Sequence, residues 1–482
     1  MKNPDILSQS DISIRPTRVF FLSFILTQLG FLVLFTVTDS PVLILLVMVG
    51  LFLLYRIAFS VKGALFFTSF YIVIFPAYGW GRYYPFFKVF VSYPVLVALI
   101  VLAVLFWMAS IALRIPTRVR MTAQDIAALI FLFLVVIATF IGLVNGHQTK
   151  HVAKECFFLG LYGVYFLAAR GIPHGRWIKQ YWSLLILATL VVSLQYLFLA
   201  LSEIGPSRWF ISRVTTRQPH LAQLAIPYLM SFFLLPSTLR KKIFASLLLV
   251  PILTMAFLSQ QRSLWLAIPF SIILLWLLTI WRRQRISFQA ILKVVAVLLI
   301  FVIIIITVLL LLNRFFAGSP VATLAVRVES LTRLAEDESA LMRMAEIKRA
   351  LAQWRRNVLF GTGLGSTIHR VAVNMKYDMV DNSYVFLLWK TGLIGLFSYL
   401  VVVVLFFHRG MTILKRTDDL DIHRIVISSL SGFAGLMLIA LTNSCLVLYR
   451  FIIIWAILIA SLEYYYRNIT IGDLSDHRET NG

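Results

Sequence analysis

Residues 301–320, FVIIIITVLLLLNRFFAGSP, carry the chain out of an apolar run and into a polar one at Asn313. The apolar side is the end of a run from Phe288 to Leu312, long enough for an α-helix to cross a hydrocarbon layer, which takes about 20 residues. The polar side continues from Asn313 to Asn382, and its charge and glycine content suit no membrane span. The fold follows from this contrast, because the rest of the sequence is built almost entirely of runs like the first.

Over 482 residues the chain is 60% hydrophobic and only 13% charged, with a mean hydropathy of +0.91. Such a balance excludes a soluble globular protein and defines a polytopic membrane protein. Closed barrels would show short alternating strands, so the class is all-α, with about 12–14 transmembrane helices. The expected spans are Val19–Val37, Pro41–Ile57, Gly63–Gly79, Val89–Leu113, Asp125–Val144, Glu155–Ala169, Tyr181–Leu201, Leu221–Leu235, Ile243–Ser259, Leu264–Trp281, Phe288–Leu312, Ser383–Phe407, Arg424–Asn443 and Tyr449–Tyr466. They make one membrane domain over residues 1–482, with a large loop at 313–382 and a polar tail at 468–482.

Lysine and arginine are retained on the cytoplasmic side of a membrane. Placing Arg15 and Arg18 there and alternating sides puts Arg114, Arg118 and Arg120, then Arg240, Lys241 and Lys242, then Arg282 and Arg283, and finally Arg467 on that side. Both termini are then cytoplasmic and the 313–382 loop external, facing the periplasm or the extracellular space. Met1–Asp11 has no apolar core of its own, so the first span is expected to act as an uncleaved anchor.

Most of the net charge of +24 follows from this retention and from anionic headgroups. Arg208, Arg213 and Arg217 in one external turn, Arg262 in another, and Arg343, Arg349, Arg355 and Arg356 in the large loop run against the bias. An anionic ligand is the simplest reason for them, since guanidinium groups match phosphate oxygens in pairs.

Within the loop, Leu341, Met344, Ile347, Leu351 and Trp354 recur at helical spacing between Ser339 and Asn357, with Arg349 and Arg356 on another face. This amphipathic helix reads either as part of a catalytic site or as an interfacial helix against headgroups. Gly361, Gly363 and Gly365 follow. No Gly-Lys-Ser/Thr and no preceding strand accompany them, so a nucleotide loop is excluded, while an anion cradle of backbone N–H groups stays open. Asp381 and Asn382 stand at the mouth of the next span, where a carboxylate can cap the helix or act as a base. His369 reads as a surface histidine or as a proton acceptor. Arg262 reads as a snorkelling side chain or as a phosphate ligand. Gly392 and Gly395 read as close-packing positions. Cys156 and Cys445 fall inside spans, which argues against a disulfide framework, and no Cys/His/Asp/Glu grouping has metal-ligand spacing.

Taken as an ordered set, Arg343 with its helix and Trp354, LFGTGLGS at 359–366, Asn382-Ser383-Tyr384 and KTGLIGL at 390–396 resemble the O-antigen polymerase and ligase superfamily of bacterial envelope enzymes. Arg213 through Ala222 and Ser259 through Arg262 are similar to that family's arginine-bearing external turns. The resemblance implies a helical fold of the lipid-linked sugar transferase (GT-C-like) type in the bacterial cytoplasmic membrane. It implies a metal-independent and cofactor-free glycosyltransferase taking glycan from undecaprenyl diphosphate. Its partners would be that lipid-linked glycan, membrane lipids and a chain-length regulator or flippase of the same pathway, with no nucleic acid.

On this reading Asp381 is the catalytic carboxylate, with His369 as its substitute. Arg213, Arg217 and Arg262 bind the donor diphosphate, and Arg343, Arg349 and Asn382 position substrate. Family members commonly have His-Asn where this chain has Asp381-Asn382, and in the ligases that histidine is the proposed base. The expected function is polymerisation of a cell-surface polysaccharide. The alternatives are a ligase that moves finished glycan to lipid A core or another acceptor, and a lipid-linked oligosaccharide flippase.

Overall fold

A computed structural model describes residues 121–171, 175–203, 219–259, 261–283, 338–370 and 375–479. The spans expected at Val19–Val37, Pro41–Ile57, Gly63–Gly79, Val89–Leu113 and Phe288–Leu312 lie outside these residues, as do Arg213 and Arg217.

The described chain is a helical bundle. Its helices are α1 (Ala123–Val144), α2 (Thr149–Gly160), α3 (Val164–Gly171), α4 (Gly175–Glu203), α5 (Ala222–Leu234), α6 (Leu239–Leu258) and α7 (Arg262–Arg283). After the undescribed stretch come α8 (Glu338–Trp354), a hairpin of β1 (Ile368–Arg370) and β2 (Met375–Tyr377), α9 (Ser383–Arg416), α10 (Leu420–Ala440) and α11 (Tyr449–Glu479). Among the described residues 7 stretches are long and apolar enough to cross a membrane, which agrees with an all-α polytopic protein.

α1 starts at a capping box, in which Asp125 N–H donates to Thr122 Oγ1 and Thr122 N–H to Asp125 Oδ2. Ile126, Ile130, Phe133 and Phe140 stay exposed on one side of it, while Phe131, Val135 and Ala138 are buried on the other. Such a division is what a membrane helix shows when one face meets lipid and the other meets protein. α9 packs along α1, α10 against α5 and α7, and α11 against α3.

Two expected spans differ in detail. The one expected from Glu155 begins earlier, at Thr149, because α2, a 3-10 turn at Leu161–Gly163 and α3 run on as one crossing to Arg170. This puts Glu155 inside the span. The stretch expected at Leu221–Leu235 is a helix of only 13 residues, buried on nearly every side by α6, α7 and α10. The last two spans are separate helices, joined through Leu441–Leu448.

The helix ends sort into two groups. At one end Arg467 Nη2 lies 2.6 Å from Asp125 Oδ2, Lys179 Nζ lies 2.8 Å from Asp421 Oδ2, and Lys415 sits 5.4 Å from the centre of the Trp281 ring. At the other end Asn145 Nδ2 donates to Thr362 O and Asn382 Nδ2 to Leu441 O. Turns that charge retention assigns to one side thus meet one another, and those assigned to the other side do the same. The second group gathers the described parts of the large loop and is called the loop end below.

Candidate functional site at the loop end

α9 is not one continuous helix. Gly392 takes φ 73°, ψ −173°, and breaks the helix into Ser383–Thr391 and Leu393–Arg416. A break at that depth leaves carbonyls and N–H groups without helical partners, and in an apolar setting each such group costs several kcal/mol unless replaced. The glycine turn supplies the replacements. Thr362 N donates to Trp389 O at 2.9 Å and Gly363 N to Lys390 O at 3.2 Å; on the far side of the break Leu393 N donates to Val358 O and Ile394 N to Leu359 O. The loop is spliced into the broken helix bond by bond.

The same turn reaches α1. Leu364 N donates to Ala138 O at 2.9 Å, and Thr362 O accepts from Asn145 Nδ2 at 3.1 Å, with His147 Nε2 3.0 Å away. Gly361, Gly363 and Gly365 all have positive φ, and a Cβ on Gly363 would come within 2.4 Å of Gly142 N. Gly142 is needed in return, because a Cβ there would lie 2.1 Å from Leu364 O. These glycines therefore serve contact between backbones. An anion cradle is overturned, since the N–H groups of residues 361–365 each donate to a protein acceptor. Close helix packing at Gly392 is likewise replaced by a helix break.

Beneath the turn lies a buried charge pair. Lys390 Nζ is 2.8 Å from Glu155 Oε1, and Glu155 Oε2 accepts from Gly365 N at 2.7 Å. Lys390 also donates to Ser366 O and stands 4.1 Å from the centre of the Trp389 ring. Trp389 in turn donates to Gln353 Oε1 and packs with Ala350, Ile368 and Val380, which fixes α8 and the hairpin over α9. Next to this pair Asp378 accepts from His151 Nδ1 at 2.9 Å and pairs with Lys154. Burial pushes the Asp378 carboxyl up, but Lys154 and His151 outweigh it and hold it below the usual carboxylate range.

Asp381 and Asn382 divide the two roles that the sequence left open. Asn382 is the N-cap of α9, its side-chain oxygen accepting from Tyr384 N and Val385 N at 3.0 and 2.9 Å. Asp381 is released from capping and meets Arg343, whose Nε is 3.4 Å from Asp381 Oδ2. Both side chains are about one-third exposed, at 34% and 31%, so a substrate can reach them. Arg349 donates to the backbone carbonyl of His369 and so holds β1 to α8, while the His369 side chain is exposed. Among the described residues no hydrogen bond or ion pair joins His369 to Asp381. Arg262 opens α7 at the loop end, since the opposite end of that helix carries Trp281 against Lys415.

α8 forms where its periodicity places it, yet Leu341 and Met344 are exposed, and the buried positions are Glu346 and Ala350. Sequence reasoning missed Glu155, Lys390, Asp378, His151 and Lys154. A signal was present for the first two, because one acid and one lysine inside otherwise apolar spans must find each other or lie in a polar cavity.

A bundle with a helix broken near one end, a loop spliced into the break and a carboxylate–arginine pair open beside it defines a membrane protein with a built site at one face. Residues 221–400 match the family model described as O-Antigen ligase, and this match supports the O-antigen polymerase and ligase superfamily. The match runs from α5 through the loop and the break in α9. No curated protein matches the chain. Members of this family are glycosyltransferase-like enzymes with lipid-linked glycan substrates.

Proposed function

We propose that the protein polymerises a cell-surface polysaccharide at the outer face of the cytoplasmic membrane. Glycan on a polyprenyl diphosphate passes to a hydroxyl of a second lipid-linked repeat unit. The observation that carries this reading is the Arg343–Asp381 pair, reachable from outside and set at the start of α9 where Asn382 has taken over the cap.

In the step itself the acceptor oxygen bonds to the anomeric carbon while the bond from that carbon to the diphosphate oxygen breaks. The hydroxyl proton goes to Asp381, and the electron pair leaves with the diphosphate. A diphosphate is a good leaving group, so a carboxylate suffices as base. Arg262, with Arg213 and Arg217, binds the diphosphate and stabilises the charge that grows on it. Arg343 aims the carboxylate, Asn382 fixes the helix mouth, and Arg349 keeps the hairpin bearing His369 in place. No metal or cofactor enters the scheme.

Aspartate in place of the histidine common in the family favours a polymerase over a ligase. Lipid-linked glycans from a deletion strain separate the two. Loss of a polymerase leaves single repeat units on the carrier, whereas carrier-linked long chains would mean that the protein acts later, as a ligase.

A further inference from the structure

Between α8 and the glycine turn, Val358, Leu359 and Phe360 are three consecutive apolar side chains that all face outward, Leu359 with 54% of its surface exposed. Consecutive exposed apolar residues on a well-ordered turn call for a partner. The turn is rigid: Val358 O accepts from Leu393 N and Trp354 Nε1, Leu359 O from Ile394 N, and Asn357 O from Gly361 N at 2.9 Å. Its side chains therefore point outward because the backbone is fixed to the top of the second half of α9.

That half-helix shows what the partner is. Leu393, Ile394 and Phe397 are exposed along it, Phe397 by 67%, within a stretch apolar enough to cross a membrane. The outward face of Val358–Phe360 continues this surface past the break at Gly392. Arg355 and Arg356, both exposed, precede it by one residue, Asn357. Cations beside an apolar wedge, with the half-buried Trp354 just before them, form the pattern of an interfacial anchor, in which guanidinium groups take lipid phosphates and the apolar tips enter the acyl layer.

We propose that the turn Arg355–Phe360 is a membrane anchor of the large loop. Leu359 and Phe360 insert into the leaflet at the loop end, and Arg355 and Arg356 bind the phosphates of anionic phospholipids. The anchor sets the depth at which the loop sits over the break in α9, and it involves no chemistry, so it stands or falls separately from glycan transfer.

Spin labels report it directly. Leu359→Cys and Phe360→Cys, in full-length protein with Cys156→Ser and with the buried Cys445 retained, are labelled and reconstituted in phosphatidylethanolamine–phosphatidylglycerol vesicles. Phe397→Cys supplies the lipid reference and exposed Lys150→Cys the aqueous one. The expected ratio of oxygen to nickel-chelate collisions at 359 and 360 is several-fold above that at 150 and near that at 397. A ratio equal to that at 150 would overturn the anchor, as would exclusion of both reagents, which would mean that protein covers the turn. Adding Arg355→Gln and Arg356→Gln is expected to move the ratio at 359 and 360 toward the aqueous value; an unchanged ratio would overturn phosphate binding by the arginines.

Discussion

Lys390 Nζ lies 2.8 Å from Glu155 Oε1 with both side chains closed off from solvent, so a charge pair pins α2 to the first half of the broken helix directly under the glycine turn. Removing one member leaves the other charged in an apolar setting, which costs about 3–5 kcal/mol. Lys390→Met and Glu155→Gln are each expected to lower the thermal midpoint of the detergent-solubilised protein sharply. The double variant is expected to recover much of the loss. Additive losses in the double-mutant cycle would show that the two side chains are not coupled.

The turn and α1 meet through two glycines, so Gly363→Ala and Gly142→Ala strike the same contact from opposite sides. Each is expected to destabilise the docked loop by about 1–3 kcal/mol. Limited proteolysis checks this: cleavage within residues 355–382 is expected to be faster in either variant than in the native protein. Native rates of cleavage in Gly363→Ala would contradict the splice.

Asp378 gives the docked loop a dependence on acid. Its folded carboxyl is held below its ordinary value of 3.8, so its contribution is complete above that value and is lost as pH falls through the lower, folded value. Thermal midpoints of native protein and Asp378→Asn are therefore expected to differ most near neutral pH and to converge as the pH drops below about 4. A gap that widens on acidification would have the sign wrong.

How much of this was legible in the sequence depends on which interactions are local. The spans and the amphipathic α8 follow from hydropathy and period along the chain, and the ordered run from Arg343 to Leu396 is legible through its resemblance to a known family. Gly392 could not be read as a helix break, because Lys390-Thr391-Gly392-Leu393 is compatible with a straight membrane helix. What breaks it is the hydrogen bonding offered by residues 358–363. Gly363 and Gly365 had no local reason either, since their need lies in Gly142 and Val152 on other helices. The apolar face expected on α8 is only partly buried, because periodicity reveals that a face exists but not whether protein or lipid covers it.

Asn382 and Asp381 separate stability from chemistry. Asn382→Ala removes a cap bonded to two N–H groups and is expected to cost about 1 kcal/mol. Asp381→Asn, which leaves the cap intact, is expected to leave the thermal midpoint nearly unchanged while glycan transfer falls about 10²–10⁴-fold. A comparable loss of stability in both variants would reduce Asp381 to a structural residue.

Purified protein in vesicles, supplied with a repeat unit on a polyprenyl diphosphate and sampled over time, tests the central claim most directly. The native protein is expected to build a ladder of carrier-linked chains and release free polyprenyl diphosphate, and Asp381→Asn is expected to leave the single unit unextended. Elongation by Asp381→Asn at the native rate, or transfer by the native protein only to an acceptor that is not a lipid-linked repeat unit, would contradict the account.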